Sequence, residues 1–137
     1  MKVEEIMIGD WISSPYGNIQ VEFIYNNGYD DVVGEREEMY LDCYTGEEDS
    51  RMKDITIETV YPIPLTEEIL LLNGFEYNED FEEYLISIDK NVFSFEYDSV
   101  DDFYYFGSWI RFYHVHELQH LLRLCGLTEL AVNFKIE

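Results

Sequence analysis

Between Ile6 and Ile63 apolar residues alternate with polar ones in short runs. Ile19, Val21, Phe23 and Tyr25 form one run, Met39, Leu41 and Cys43 another, and Ile55 and Ile57 a third. A period of two marks strands with one buried face. Pro15-Tyr16-Gly17-Asn18, Asn26-Asn27-Gly28 and Thr45-Gly46 place turn residues between the runs. Such a meander often closes on itself to remove its edges. Residues 1–65 are therefore expected to form an SH3-like small β-barrel, or a meander, of about five strands.

Pro62-Ile63-Pro64 ends this pattern, because proline cannot donate to a sheet ladder. Thr66 can cap a short helix over Glu67–Asn73, with Glu67 and Glu68 at its positive end and Asn73-Gly74 as a left-handed stop. After the acidic stretch Glu76–Glu83, the chain predicts strands over Tyr84–Asp89, Val92–Tyr97 and Phe103–Phe106. The first two are joined by a tight turn at Lys90-Asn91, and Phe93, Phe95 and Tyr97 share one face. A helix is expected over His114–Cys125, ended by Gly126. Leu130, Val132, Phe134 and Ile136 then alternate with polar or small residues and predict a final strand. The whole reads as α+β: a barrel-like half over 1–65, then a β-β-β-α-β half over 66–137, expected to make one compact unit at this length.

Composition says that this pattern can fold. Of 137 residues 47% are hydrophobic, with 12 Tyr, 9 Phe and 2 Trp, enough to build a core despite the charge. That charge is the strongest constraint on function. Thirty acids against eight bases give a net −22, which repels a phosphate backbone and excludes direct nucleic-acid binding. Residues 1–102 carry 27 of the acids and 5 of the bases, whereas residues 103–137 carry three of each. Excess carboxylates can simply keep an aromatic-rich protein soluble. Tyrosine interleaved with acids also suits a surface that receives Arg or Lys from a partner. The residues nominated for such a basic protein partner are Tyr77, Glu79, Asp80, Glu82, Glu83, Tyr97, Asp98, Asp101 and Asp102, and mimicry of nucleic acid is a further form of the same idea.

No basic leader with an apolar core, and no apolar run long enough to span a bilayer, is visible, so a cytoplasmic protein without a membrane anchor is expected. Cys43 and Cys125 stand alone in unlike contexts and read as free thiols. Adjacent acids such as Asp30-Asp31 lack calcium-ligand spacing, and no phosphate-binding or nucleophile-elbow motif occurs, so no cofactor is expected.

One motif competes with the interaction reading. His116-Glu117-Leu118-Gln119-His120 satisfies H-E-x-x-H, which on a helix places two imidazoles one turn apart to hold zinc, with the glutamate as general base. His114 could add a third ligand. A zinc-dependent hydrolase built on His116, His120, His114 and Glu117 is therefore the alternative. On a helical wheel the histidines lie opposite the leucine stripe and share a side with Arg123, whose guanidinium would sit beside the cation. No further ligand follows the motif at metalloprotease spacing. The expected reading is an exposed, non-catalytic helix face.

Pro62-Ile63-Pro64-Leu65-Thr66-Glu67-Glu68-Ile69-Leu70, Val115-His116-Glu117-Leu118-Gln119, Leu127-Thr128-Glu129-Leu130 and, more loosely, Ile8-Gly9-Asp10-Trp11 resemble segments of a group of small, uncharacterised proteins of anaerobic gut bacteria and their phages or mobile elements. The resemblance implies no established activity. In that group the position of His120 is commonly Asn, which implies that the H-E-x-x-H spacing is accidental. The expectation is thus a non-enzymatic acidic interaction module of phage or mobile-element origin.

Overall fold

The computed structural model describes residues 1–26, 39–44 and 51–137. The expected turns at Asn26-Asn27-Gly28 and Thr45-Gly46, and the Asp30-Asp31 pair, lie outside the described residues wholly or in part. The chain is α+β, with two antiparallel five-stranded sheets and three short α-helices among the described residues.

The first sheet comprises β1 (Trp11–Ser14), β2 (Gly17–Asn26), β3 (Met39–Tyr44), β4 (Arg51–Thr56) and β5 (Tyr61–Pro62), in the order β4-β3-β2-β1-β5. The meander is as expected. Its edge strands, β4 and β5, do not pair with each other, so no barrel closes. Ser14 pairs with Gly17 across Pro15-Tyr16, the turn foreseen there. Ile12, Ile19, Val21, Leu41, Cys43, Ile55 and Val60 bury together as the first core. The run Ile19-Val21-Phe23-Tyr25 does not keep one face. The β2–β3 register shifts between Val21 and Phe23, and a bulge adds one residue, which turns every later side chain to the other side. Phe23 is consequently exposed and Ile24 packs against the core in its place. Ile57, expected in a strand, instead begins a 3-10 turn over Ile57–Thr59. Both cysteines are free thiols; Cys43 is buried, and desolvation pushes its thiol up to about 12, whereas Cys125 is exposed.

Helix α1 (Glu67–Leu72) begins as its sequence dictates. Thr66 Oγ1 accepts a hydrogen bond from Ile69 N, Gly74 takes φ +89°, and Phe75 N donates to Leu70 O, so the fully buried Phe75 folds back on the last turn. The second sheet follows as a continuous meander: β6 (Glu76–Asn78), β7 (Glu83–Ile88), β8 (Asn91–Asp98), β9 (Phe103–Phe106) and β10 (Ile110–Phe112). Strands β6 and β10 were not foreseen, because three residues are too few to display a period. The β7–β8 hairpin turns on Asp89 and Lys90, both at positive φ, which gives a two-residue turn the twist its strands need. Phe93 and Phe95 are buried as expected, in an aromatic core that also holds Phe75, Tyr84, Tyr104, Phe112 and Phe134.

Helix α2 (Val115–Leu124) lays Val115, Leu118, Leu121 and Leu122 on this core. Ile63 and Leu65 also bury there, and Val115 N donates to Ile63 O while Leu65 N donates to Tyr113 O, so the Pro62–Leu65 segment is laced to the start of α2. The expected final strand is absent. Residues Thr128–Val132 form helix α3, and no strand follows among the described residues. Leu127, Leu130, Ala131 and Phe134 sit at i, i+3, i+4 and i+7, a helical stripe hidden inside the period-two pattern. Ala131 and Phe134 are buried. Neighbouring side chains satisfy the tail's carbonyls in place of a ladder: Gln119 Nε2 donates to Ala131 O (2.8 Å), Gln20 Nε2 to Val132 O (2.8 Å), Trp11 Nε1 to Phe134 O (2.7 Å) and Asn73 Nδ2 to Lys135 O (2.7 Å).

Candidate functional site

Two regions bring the nominated residues together: the H-E-x-x-H helix and the acidic end of the second sheet.

The histidine face of α2 is not an exposed face. His116 is 6% exposed and Gln119 is fully buried. A wheel detects one burial partner, and here the helix has two. Its leucines face the second core, and its polar side faces the segment Met7–Trp11 that leads into β1. Gln119 is satisfied there: Trp11 N donates to its Oε1 (2.9 Å) and its Nε2 donates to Gly9 O (2.9 Å) as well as to Ala131 O. Asp10, fully buried, accepts from Met7 N (2.7 Å) and contacts His120 Nε2 (2.7 Å) through Oδ2, while Oδ1 accepts from Arg123 Nη1 (3.0 Å). Arg123 Nη2 donates on to Ile8 O (2.8 Å). Gly9 lies at φ +95°, and a Cβ there would fall 2.7 Å from the Arg123 guanidinium, so the close approach requires glycine. Arg123, set beside a hypothetical cation by the wheel, is thus the partner of a carboxylate.

Glu117 is equally committed. Its Oε1 accepts from Tyr113 N (3.2 Å) and His114 N (3.1 Å), closing the N-terminus of α2, and lies 2.6 Å from His114 Nδ1. The three imidazoles neighbour one another, with ring centroids 5.8 Å apart for His114 and His116 and 5.5 Å apart for His116 and His120. They line a cleft of about 500 Å³ with Met1, Glu5, Pro62, Tyr113 and Glu117. Among the described residues no three His, Cys, Asp or Glu side chains are grouped so as to hold a metal ion.

His116 Nδ1 is buried without a partner. Desolvation holds its pKa below the ordinary 6.5, opposed by the nearby Asp10 and Glu117 carboxylates. The folded protein therefore resists a proton that the unfolded chain accepts below about pH 6.5. Stability from this residue is full above that pH and is lost as pH falls toward the depressed folded value. Urea unfolding of the parent and of His116→Leu between about pH 8 and about pH 5 should show a smaller acid-side decline in the variant; equal declines would remove His116 as a cause.

The nominated partner-binding residues converge elsewhere. Strand order β10-β9-β8-β7-β6 places the β6–β7 and β8–β9 turns at the same end of the sheet. Tyr97 N donates to Glu82 O (3.0 Å), which holds the two turns side by side. Glu79, Asp80 and Glu82 occupy the first turn and Asp101 and Asp102 the second, all exposed, with Glu83 and Asp98 half-buried at the strand ends. Glu82 and Asp102, at φ +49° and +54°, end the two turns alike. Asp98 also braces its own turn, where its Oδ1 accepts from Val100 N and Asp101 N. Tyr97 donates its hydroxyl to Asp102 Oδ1 (2.7 Å), which raises the phenol's pKa. Tyr77 and Tyr84 lie opposite each other with ring centroids 4.9 Å apart, Tyr77 being the more exposed. Burial, then the neighbouring Glu67, pushes the Tyr84 hydroxyl up to about 12. Among the described residues none of the acids of these turns forms an ion pair with Lys or Arg.

Sequence reasoning found these acids by composition, and it missed Asp10 and Gln119. Asp10 stands beside Gly9 and Trp11 in a segment whose period is too short to predict burial. No helix among the described residues is long and apolar enough to cross a membrane. Compared with protein-family models, with curated proteins and with solved structures, the chain matches none.

Proposed function

We propose that this chain is a non-enzymatic interaction module that docks on a basic protein surface through the acidic end of its second sheet. One observation carries the reading: two acidic turns are held side by side next to Tyr77 and Tyr97, with no Lys or Arg neutralising them among the described residues. Exposed like charges of this kind repel one another in the free protein, and a cationic partner relieves them. Tyrosine adds flat contact area at low entropic cost and receives cations on its ring face. A protein that itself binds nucleic acid is the natural kind of basic partner, and a phage or mobile-element setting, in the cytoplasm, would supply one.

The zinc-hydrolase alternative draws less support. Its general base, Glu117, is engaged by two backbone N–H groups and His114, and its ligand His120 is engaged by Asp10.

The expected result is that the protein, immobilised and exposed to host lysate at low salt, retains a basic protein that moderate salt releases, because rim electrostatics are screened over roughly 10 Å at 0.1 M ionic strength. Retention of nothing basic, or of material that salt does not release, would sink the proposal. Elemental analysis of the same protein, prepared without a metal-affinity tag, is expected to show no near-stoichiometric zinc.

A further inference from the structure

The face of the second sheet turned away from α2 carries a row of side chains set by strand register. Glu83 lies opposite Glu96, Glu96 opposite Tyr105, and Tyr105 opposite Arg111. The alternate row, Tyr84, Phe95, Tyr104 and Phe112, is buried in the core, so the first row faces outward. Two glutamates directly across an antiparallel pair repel each other and destabilise the sheet. Among the described residues neither is ion-paired. Glu96 faces the Tyr105 phenol across the β8–β9 pair, and its carboxylate raises that phenol's pKa. Arg111 does not neutralise the pair either: its guanidinium carbon sits 4.8 Å from the Phe103 ring centroid.

Beside this row runs a groove of about 460 Å³ bounded by Glu96, Asp98, Tyr105, Trp109 and Arg111 over Phe103. Trp109 stands 92% exposed at its rim. The groove therefore joins two carboxylates to the exposed Trp109 indole, while Arg111 covers the buried Phe103 ring at its floor. Carboxylate together with a flat π surface favours a planar guanidinium over an ammonium, since a guanidinium can stack and form a forked hydrogen bond at once.

We propose that this outer sheet face, which meets the acidic end at Glu83 and Asp98, extends that docking surface and receives an arginine-bearing segment of the basic partner, with one guanidinium entering the groove between Glu96, Asp98 and Trp109. The inference rests on the basic-partner reading above and names the group recognised. Charge complementarity selects this occupant, because the face sets Glu83, Glu96 and Asp98 against one cation already seated on a ring.

A fluorescent oligoarginine peptide, titrated at low salt and followed by anisotropy, tests it. Four proteins are compared: the parent, Glu83→Gln/Glu96→Gln, Trp109→Ala, and Glu4→Gln/Glu58→Gln, the last making the same charge change at exposed positions of the first half. The Glu83/Glu96 double variant is expected to bind roughly tenfold more weakly, as for loss of a charge-assisted contact, and yet to unfold at a higher urea concentration because the cross-strand repulsion is gone. Trp109→Ala, too exposed to affect folding, should weaken binding of oligoarginine more than of oligolysine. If the Glu4/Glu58 control weakens binding as much, if the Glu83/Glu96 variant binds like the parent or is destabilised, or if oligolysine binds as well as oligoarginine, the assignment of this face is overturned. No binding of the peptide to the parent would instead remove the basic-partner reading itself.

Discussion

Replacing Asp10 with alanine is expected to cost about 3–5 kcal/mol of folding stability, the loss seen when one partner of a buried charge pair is removed. Asp10 is fully buried, and three donors converge on it: Met7 N, Arg123 Nη1 and His120 Nε2. Without the carboxylate the Arg123 guanidinium, 13% exposed, keeps its burial cost and loses its counter-charge. Asp10→Asn should cost less, since an amide oxygen still accepts one bond. Arg123→Ala and Asp10→Ala should be strongly non-additive when combined, because the second substitution removes a group already stranded by the first. His120→Asn should be mild, as its amide can donate to Asp10 where the imidazole did. Urea unfolding of the four variants and the double measures all of this; an Asp10→Ala protein within about 1 kcal/mol of the parent would place the carboxylate among surface-like pairs.

Phe95→Ala should be comparably damaging, by about 3–5 kcal/mol, from lost burial and the cavity left behind. Phe95 is 2% exposed, and its ring meets those of Phe112 at 5.2 Å, Phe75 at 5.5 Å, Tyr104 at 5.7 Å, Tyr84 at 5.8 Å and Phe93 at 6.1 Å. Removing the hub takes one neighbour from each of five rings, and rigid aromatic walls relax poorly into such a void. Domains of this size are stable by only about 5–15 kcal/mol, so the substitution consumes a large share. Phe81→Ala, at an exposed ring of similar size, is the control and should change little. If the two variants unfold at the same urea concentration, the aromatic core is not where the second half derives its stability.

Much of the second half was legible because its signals are local. Thr66 as a cap, Asn73-Gly74 as a stop and the Phe93-Phe95-Tyr97 alternation each depend on residues within a few positions, and each is realised. The misreadings have a common physical source. A bulge between Val21 and Phe23 reverses a face without altering the alternation that predicted it. The tail carries a strand period at Leu130, Val132, Phe134 and Ile136 and a helical one at Leu127, Leu130, Ala131 and Phe134, and burial against α2 and the second core decides for the helix. The polar side of α2 is buried by a segment more than 100 positions away in sequence, which no local pattern contains. His116 and His120 therefore carry a catalytic spacing and occupy a junction. The acidic surface was visible as composition, but its assembly from two turns depends on strand order, which the sequence leaves open.

The central structural claim is that the network of Asp10, Gln119, His120 and Arg123 fastens two hydrophobic cores into one cooperative unit. A single denaturation series that follows both cores tests it most directly. In a Cys125→Ser background, trapping of the buried Cys43 thiol reports the first core, and fluorescence of Trp11, packed against the second core with its indole bonded to Phe134 O, reports the second in a Trp109→Phe background. Coincident urea midpoints are predicted for the parent, with separation appearing in Asp10→Ala. Two well-separated midpoints in the parent would contradict the account.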